Sequence, residues 1–225
     1  TLWRRSPLEV LELARETRPE FAAAARQVRA WILDQANKRL AAQVAQPYRW
    51  PRWNGTDLAW GNAHPLVAAR FLVAAHALTG EAKYLDAAFL ANDFHCGCNP
   101  DGMTLTEGLG DVYPTRFLSL ASTADAVGEY VAGITPYRWT YGVGQANGEL
   151  VHTQEEIARW PIWRRRVNLE GLHVPSGEYT VTETIGPALA VTAYLADLGD
   201  NALERCPPPC PRGRPNELPG HWALP

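Results

Sequence analysis

Gly171-Leu-His-Val-Pro-Ser-Gly-Glu178-Tyr-Thr-Val-Thr-Glu183-Thr-Ile-Gly-Pro-Ala-Leu-Ala-Val-Thr-Ala-Tyr-Leu195 passes from a loop broken by Pro175 and Gly177 into an apolar segment with helical spacing. A helix is expected over 183–198, apolar on nearly every side, and a soluble helix without a polar face must be surrounded by other helices. Glu178 stands just ahead of that helix, between the loop and the neighbours Tyr179 and Val181. A carboxyl held there against aromatic and β-branched side chains loses hydration, which raises its pKa and lets it donate a proton near neutral pH. Most glutamates are simply exposed, so a solvated loop residue is the competing reading, and both stand at this point.

Working outward, a second segment has the same character. Residues 65–78, Pro-Leu-Val-Ala-Ala-Arg-Phe-Leu-Val-Ala-Ala-His-Ala-Leu, are apolar nearly all round, with Pro65 at a helix start and Gly80 as the stop. These two helices are expected to be the most buried. A helix over 81–94 follows, with Tyr84, Leu85, Ala88 and Phe89 at core spacing. Towards the N-terminus, Ser6 and Pro7 mark the start of a first helix through Leu13. A longer one over 19–46 buries one face carrying Phe21, Ala24, Ala25, Val28, Trp31, Ile32 and Leu40. Residues 115–131 form a weak helix and 155–166 a short one interrupted at Pro161. About six helices with no strand series give an all-α fold in which inner helices are wrapped by outer ones.

The connections are long and aromatic. Residues 47–64 place Tyr48, Trp50, Trp53 and Trp60 among Pro, Gly and Asn. Flat aromatic faces in a polar loop suit stacking on sugar rings, and a tryptophan-rich plug over the core is the equal alternative. A second irregular stretch, 96–110, is punctuated by Gly97, Asn99, Pro100, Gly102, Gly108 and Gly110. From Cys206 the Pro-rich tail 206–225 is expected to be extended or disordered, leaving 1–205 as the helical domain.

The 225 residues are 46% hydrophobic with a net charge of −3. That suits one domain with a full core and points to neither nucleic acid nor an anionic membrane as partner. No apolar run approaches the roughly 20 residues of a membrane span, and the first residues lack the apolar core of a signal peptide. Cys96-Gly-Cys98 and Cys206-Pro-Pro-Pro-Cys210 could gather four thiolates, but neither spacing is that of a zinc knuckle and no His follows at finger spacing, so no metal is expected.

Trp60-Gly-Asn62, Thr79-Gly-Glu-Ala-Lys-Tyr-Leu-Asp-Ala-Ala88, Asn92-Asp-Phe-His-Cys-Gly-Cys-Asn-Pro100 and Gly108-Leu-Gly110, in that order, resemble the family 9 glycoside hydrolases. There a helix ends in a leucine-glycine-any-asparagine-proline turn followed by a glycine loop. Gly177-Glu178, then Thr184-Ile185 and a long apolar helix, is similar to that family's later motif, in which asparagine-glutamate precedes the last inner helix. The resemblance runs over about residues 59–198. It implies an (α/α)6 toroid, or its C-terminal half, that hydrolyses β-linked glucans or related sugars with inversion and without a cofactor. By position Glu178 matches the general acid, and Trp50, Trp53, Trp60, Arg116 and Tyr179 become the candidate sugar contacts. Export from the cell is implied for a polysaccharide hydrolase.

The chain departs from that pattern in three places. The family's base comes from an aspartate pair, Asp-x-x-Asp, in the first half of the domain; this chain is read as having no such motif, and Thr1 stands roughly where the second half begins. The resemblance therefore implies a missing N-terminal half or a partner chain. Where cellulases of the family carry a Pro/His-rich grip on the sugar, this chain reads Asp111-Val-Tyr-Pro-Thr-Arg116, in which only Arg116 could serve. Cys96 stands where leucine is usual and is expected to be buried and inert. Two function classes stay open: the acid-bearing part of a glycosidase, with Glu107 and Glu129 as fallback acids, or a non-catalytic helical domain that binds a glycan or a protein. A polysaccharide lyase on a similar toroid would need a basic cleft, which the charge does not support.

Overall fold

The computed structural model describes residues 6–46, 48–51, 64–113, 132–136, 145–146, 149–150, 159 and 179–197. The described residues are helical, apart from loops and two paired two-residue strands, Gln145–Ala146 and Glu149–Leu150, so the all-α expectation holds. The helices are α1 (Leu11–Arg15), α2 (Ala22–Val44), α3 (Pro65–Thr79), α4 (Ala82–His95) and α5 (Gly186–Asp197). The expected helices over 115–131 and 155–166, and the tail 206–225, lie outside the described residues.

α3 is the centre. Its first turn is set by Pro65 at the first helical position and by the His64 ring, whose Nδ1 accepts from the Leu66 amide at 3.2 Å. Its last turn is closed by Gly80 in the left-handed conformation, φ 71°, whose amide bonds the His76 carbonyl at 2.7 Å. Between these ends Leu66, Ala69, Leu72, Val73, Ala74 and Ala75 are essentially inaccessible, because α1, α2, α4 and α5 all pack against this one helix. A Cβ at position 80 would meet no atom within 4 Å, so Gly80→Ala isolates the backbone strain of a positive φ. Its expected cost is about 1 kcal/mol, read as a lower denaturation midpoint with an unchanged slope.

The outer helices bind α3 through one face each. α2 buries Ala25, Val28, Ile32 and Ala36, continued inward by the polar residues Gln35, Arg39 and Gln43. Arg39 is tolerated there because its guanidinium lies 4.0 Å over the Phe71 ring and donates to the Gln35 carbonyl and side chain at 2.9 Å. Gln43 donates to the Ala87 carbonyl at 2.8 Å and Tyr84 donates to Asn37 at 2.9 Å, which join α2 to α4.

Two expectations are corrected. The first helix begins at Leu11 rather than at Pro7: Ser6 does accept from the Leu8 amide at 3.3 Å, but it caps a turn over 7–10 that does not propagate as α-helix. The last helix is not buried all round. It opens as a wide π-turn, Val181–Ile185, and α5 then buries Pro187, Ala188, Val191 and Leu195 against α3, while Leu189 is 69% and Val181 68% exposed. Its apolar composition had suggested neighbours on every side; among the described residues only one side is covered. Tyr194 fixes the covered side by pairing with His76 Nδ1 at 2.8 Å.

Candidate functional site

The irregular stretch after α4 is organised by one side chain. The buried Asn99 donates from Nδ2 to the carbonyls of Phe94 and Met103, both at 2.7 Å, and accepts at Oδ1 from the Asp101 and Met103 amides. It thereby closes the turn and returns the chain to α4, where the Leu105 amide bonds the His95 carbonyl at 2.9 Å. Thr104 then pins the glycine loop: its amide donates to the Val112 carbonyl at 2.9 Å and its hydroxyl to the Leu109 carbonyl at 2.7 Å. Gly110, at φ 72°, lies so close to Thr104 that an added Cβ would sit 3.2 Å from its methyl, so the loop needs glycine for space as well as conformation.

Behind this loop runs a chain of polar groups from four separate segments, buried at His64, His95 and Thr135 and half-buried at Thr106. His64 Nε2 lies 3.2 Å from His95 Nδ1, His95 Nε2 lies 3.0 Å from Thr106 Oγ1, and Thr106 Oγ1 lies 2.7 Å from Thr135 Oγ1. The network assigns every proton. Because His64 Nδ1 already accepts from the Leu66 amide, a neutral His64 carries its proton on Nε2 and donates to His95 Nδ1. His95 must then carry its proton on Nε2 and donate to Thr106. The Thr106 hydroxyl donates to Thr135, and Thr135 donates to the Gly133 carbonyl at 3.3 Å. The relay thus runs one way from the α3 N-terminus to residue 133. Both imidazoles are 2% exposed, and burial disfavours their charged forms. His64 is held well below the usual imidazole value by burial and then by His95, and burial takes His95 down to about 4.

Glu107 follows Thr106 and is likewise 2% exposed. Its amide donates to the Ile134 carbonyl at 2.9 Å and its carbonyl accepts from the Gly133 amide at 2.8 Å, so the loop and residues 132–136 are joined by backbone as well as by side chain. This is a rigid platform at the junction of four segments. It offers precise placement of what it carries, which is what a site built on loops requires.

Among the sequence-predicted site residues, Trp50 is fully buried, its ring 4.7 Å from that of Phe94, which is the packing alternative rather than an open stacking face. Tyr179 is half-buried, two residues ahead of the turn Val181–Ile185 that packs against α3. Glu178, Trp53, Trp60, Arg116 and Glu129 lie outside the described residues. The reading that Asp-x-x-Asp is absent is corrected: the spacing occurs once, as Asp197-Leu-Gly-Asp200, at the C-terminal end of the last helix and not in a first half of the domain. Asp197 is the last residue of α5, and Asp200 lies outside the described residues.

Cys96 is exposed at the end of α4 and not buried as expected. Its thiol accepts from Asn92 at 3.6 Å and is pushed up to about 11 by desolvation of the sulfur, then by Asp93 and Cys98. Among the described residues no three His, Cys, Asp or Glu side chains group to hold a metal, and no helix is long and apolar enough to cross a membrane. The relay itself escaped sequence reading. The available signals were a His directly before the proline that starts an apolar helix and a second His in the last turn of α4.

No protein-family model and no curated protein sequence matches the chain. Solved structures do. A metagenome-derived glycoside hydrolase family 9 endoglucanase superposes with a TM-score of 0.59 at 20% identity, over 84% of this chain and 31% of that one. A thermostable single-mutant endoglucanase from Alicyclobacillus acidocaldarius gives 0.60 at 19%, over 83% and 34%. AaCel9A in complex with cellobiose-like isofagomine gives 0.56 at 21%, over 81% and 32%. At these identities the likeness is one of fold, and the chain spans about a third of the length of the endoglucanases it matches.

Proposed function

We propose that this chain is the acid-bearing part of an inverting glycoside hydrolase acting on a β-linked glucan or a related oligosaccharide. The observation that supports the reading is that a fold likeness to endoglucanases, covering more than four fifths of the chain, coincides with Glu178 lying just ahead of the last inner helix. Glu178 protonates the glycosidic oxygen as the bond breaks, and a second carboxylate, supplied by a segment or chain beyond these residues, activates water on the opposite face of the ring. Trp53 and Trp60 stack on sugar rings, and Arg116 and Tyr179 hold hydroxyl groups. The exposed Val181 and Leu189 are where such a complementing segment packs.

The test is hydrolysis of a soluble β-glucan by the full protein encoded by the gene, with the product anomer followed by NMR. Release of the inverted anomer is expected, together with roughly tenfold weaker substrate binding in Trp60→Ala, the scale of one aromatic stacking contact. Binding without any cleavage would replace this reading by the alternative that the departure from the aspartate pattern favours, a non-catalytic glycan- or protein-binding domain.

A further inference from the structure

We propose that the His64–His95–Thr106–Thr135 relay is an acid-released latch on the glycine loop: it holds residues 104–110 against α4 and residues 132–136 only while both imidazoles are neutral. The inference goes beyond the glycosidase reading and stands whether or not that reading is right.

The geometry carries it. Every junction in the relay has one donor and one acceptor, and the direction is imposed from one end by the Leu66 amide. Adding a proton to His95 places it on Nδ1, where it meets the Nε2–H of His64 at a separation of 3.2 Å, donor against donor. Adding one to His64 places it on Nδ1 against the Leu66 amide, with the same result at the helix start. Neither proton finds an acceptor without the rings turning. His95 cannot turn and keep Thr106, because the ring spans the two partners from opposite sides.

The groups around His95 leave the outcome to burial. From the start of α3 it faces His64 and from the loop Thr106, which in turn meets Thr135 from residues 132–136; Glu107 is next to Thr106 in sequence and buried, and on its own helix Asp93 and Cys96 are neighbours in sequence. Burial opposes an imidazolium there and holds His95 at about 4. The sign follows. A histidine whose closed-state value lies below its open-state value of about 6.5 favours closure fully at higher pH and loses that preference as pH falls between about 6.5 and 4. From His95 alone, the ratio of open to closed loop should rise on the order of 10²-fold between pH 7 and pH 4.

The experiment reads the wild-type protein first. Imidazole nitrogen NMR should show His64 and His95 as neutral Nε2–H tautomers with no titration near pH 6.5. Amide exchange, corrected for its intrinsic rate, should show Leu105, Glu107 and Gly133 losing protection by about 10²-fold towards pH 4, while Ile32 and Leu72 in the core keep theirs. His95→Gln, whose amide can accept from His64 and donate to Thr106 but does not titrate, should leave only the loss that His64 causes, so its loop keeps more protection at pH 4 than the wild type's; Thr106→Val should lose protection at every pH, and Thr106→Ser should restore it. An Nδ1–H tautomer, ordinary titration near 6.5, loop and core amides lost together, or a loss of loop protection at pH 4 in His95→Gln as large as in the wild type would each overturn the latch.

Discussion

Glu178→Gln is expected to lower hydrolysis of a natural oligosaccharide by about 10²- to 10⁴-fold in the complete enzyme, the range that general acid catalysis supplies. Glutamine keeps the shape and one hydrogen-bonding oxygen of the glutamate but has no proton to give. The loss should therefore appear in kcat wherever the leaving group needs protonation. An aryl glycoside with an activated leaving group needs little, so it should lose far less. Glu183, five residues on and inside the turn Val181–Ile185, should tolerate the same change. Equal losses on both substrates would remove Glu178 from the acid role, and a larger loss in Glu183→Gln would move the role there. Glu107→Gln is a separate case: that side chain is buried and its backbone ties the loop to residues 133 and 134, so a change there should show first in loop order.

The sequence made some of this architecture legible and hid the rest for identifiable reasons. α3 could be read almost to its ends because its termini carry local signals, Pro65 and Gly80, and because an unbroken apolar pattern has one stable environment. α5 has nearly the same composition, yet Val181 and Leu189 are open. Composition says that a surface seeks cover and not which chain provides it. The relay was illegible because residues 64, 95, 106 and 135 share no period and meet only after Asn99 folds the chain back on α4. Glu178 was legible only by resemblance, since its local surroundings fit a solvated loop residue equally well. Trp50 shows the limit most plainly, because a tryptophan between prolines and glycines reads the same whether its face is turned to a sugar or to the core.

Trp50→Ala is expected to destabilise the fold by about 3–5 kcal/mol, the usual cost of removing a fully buried tryptophan ring. The ring is inaccessible and tilted at 51° on Phe94, whose other edge meets Tyr48 at 6.3 Å, so its loss opens a cavity at the end of α4 directly behind the turn that Asn99 closes. Alanine cannot fill it. Trp50→Phe keeps an aromatic contact with Phe94 and should cost less, on the order of half as much. Trp53→Ala should behave in the opposite way, with a denaturation midpoint close to wild type and weaker glycan binding. The measurement is urea unfolding followed by far-UV circular dichroism, set beside binding of a β-linked oligosaccharide under conditions where each variant is folded. Weakened binding by Trp50→Ala at an unchanged midpoint would return Trp50 to the sugar-contact set. A midpoint shift with binding intact in the folded fraction would fix it as the plug that keeps the glycine loop and α4 in register.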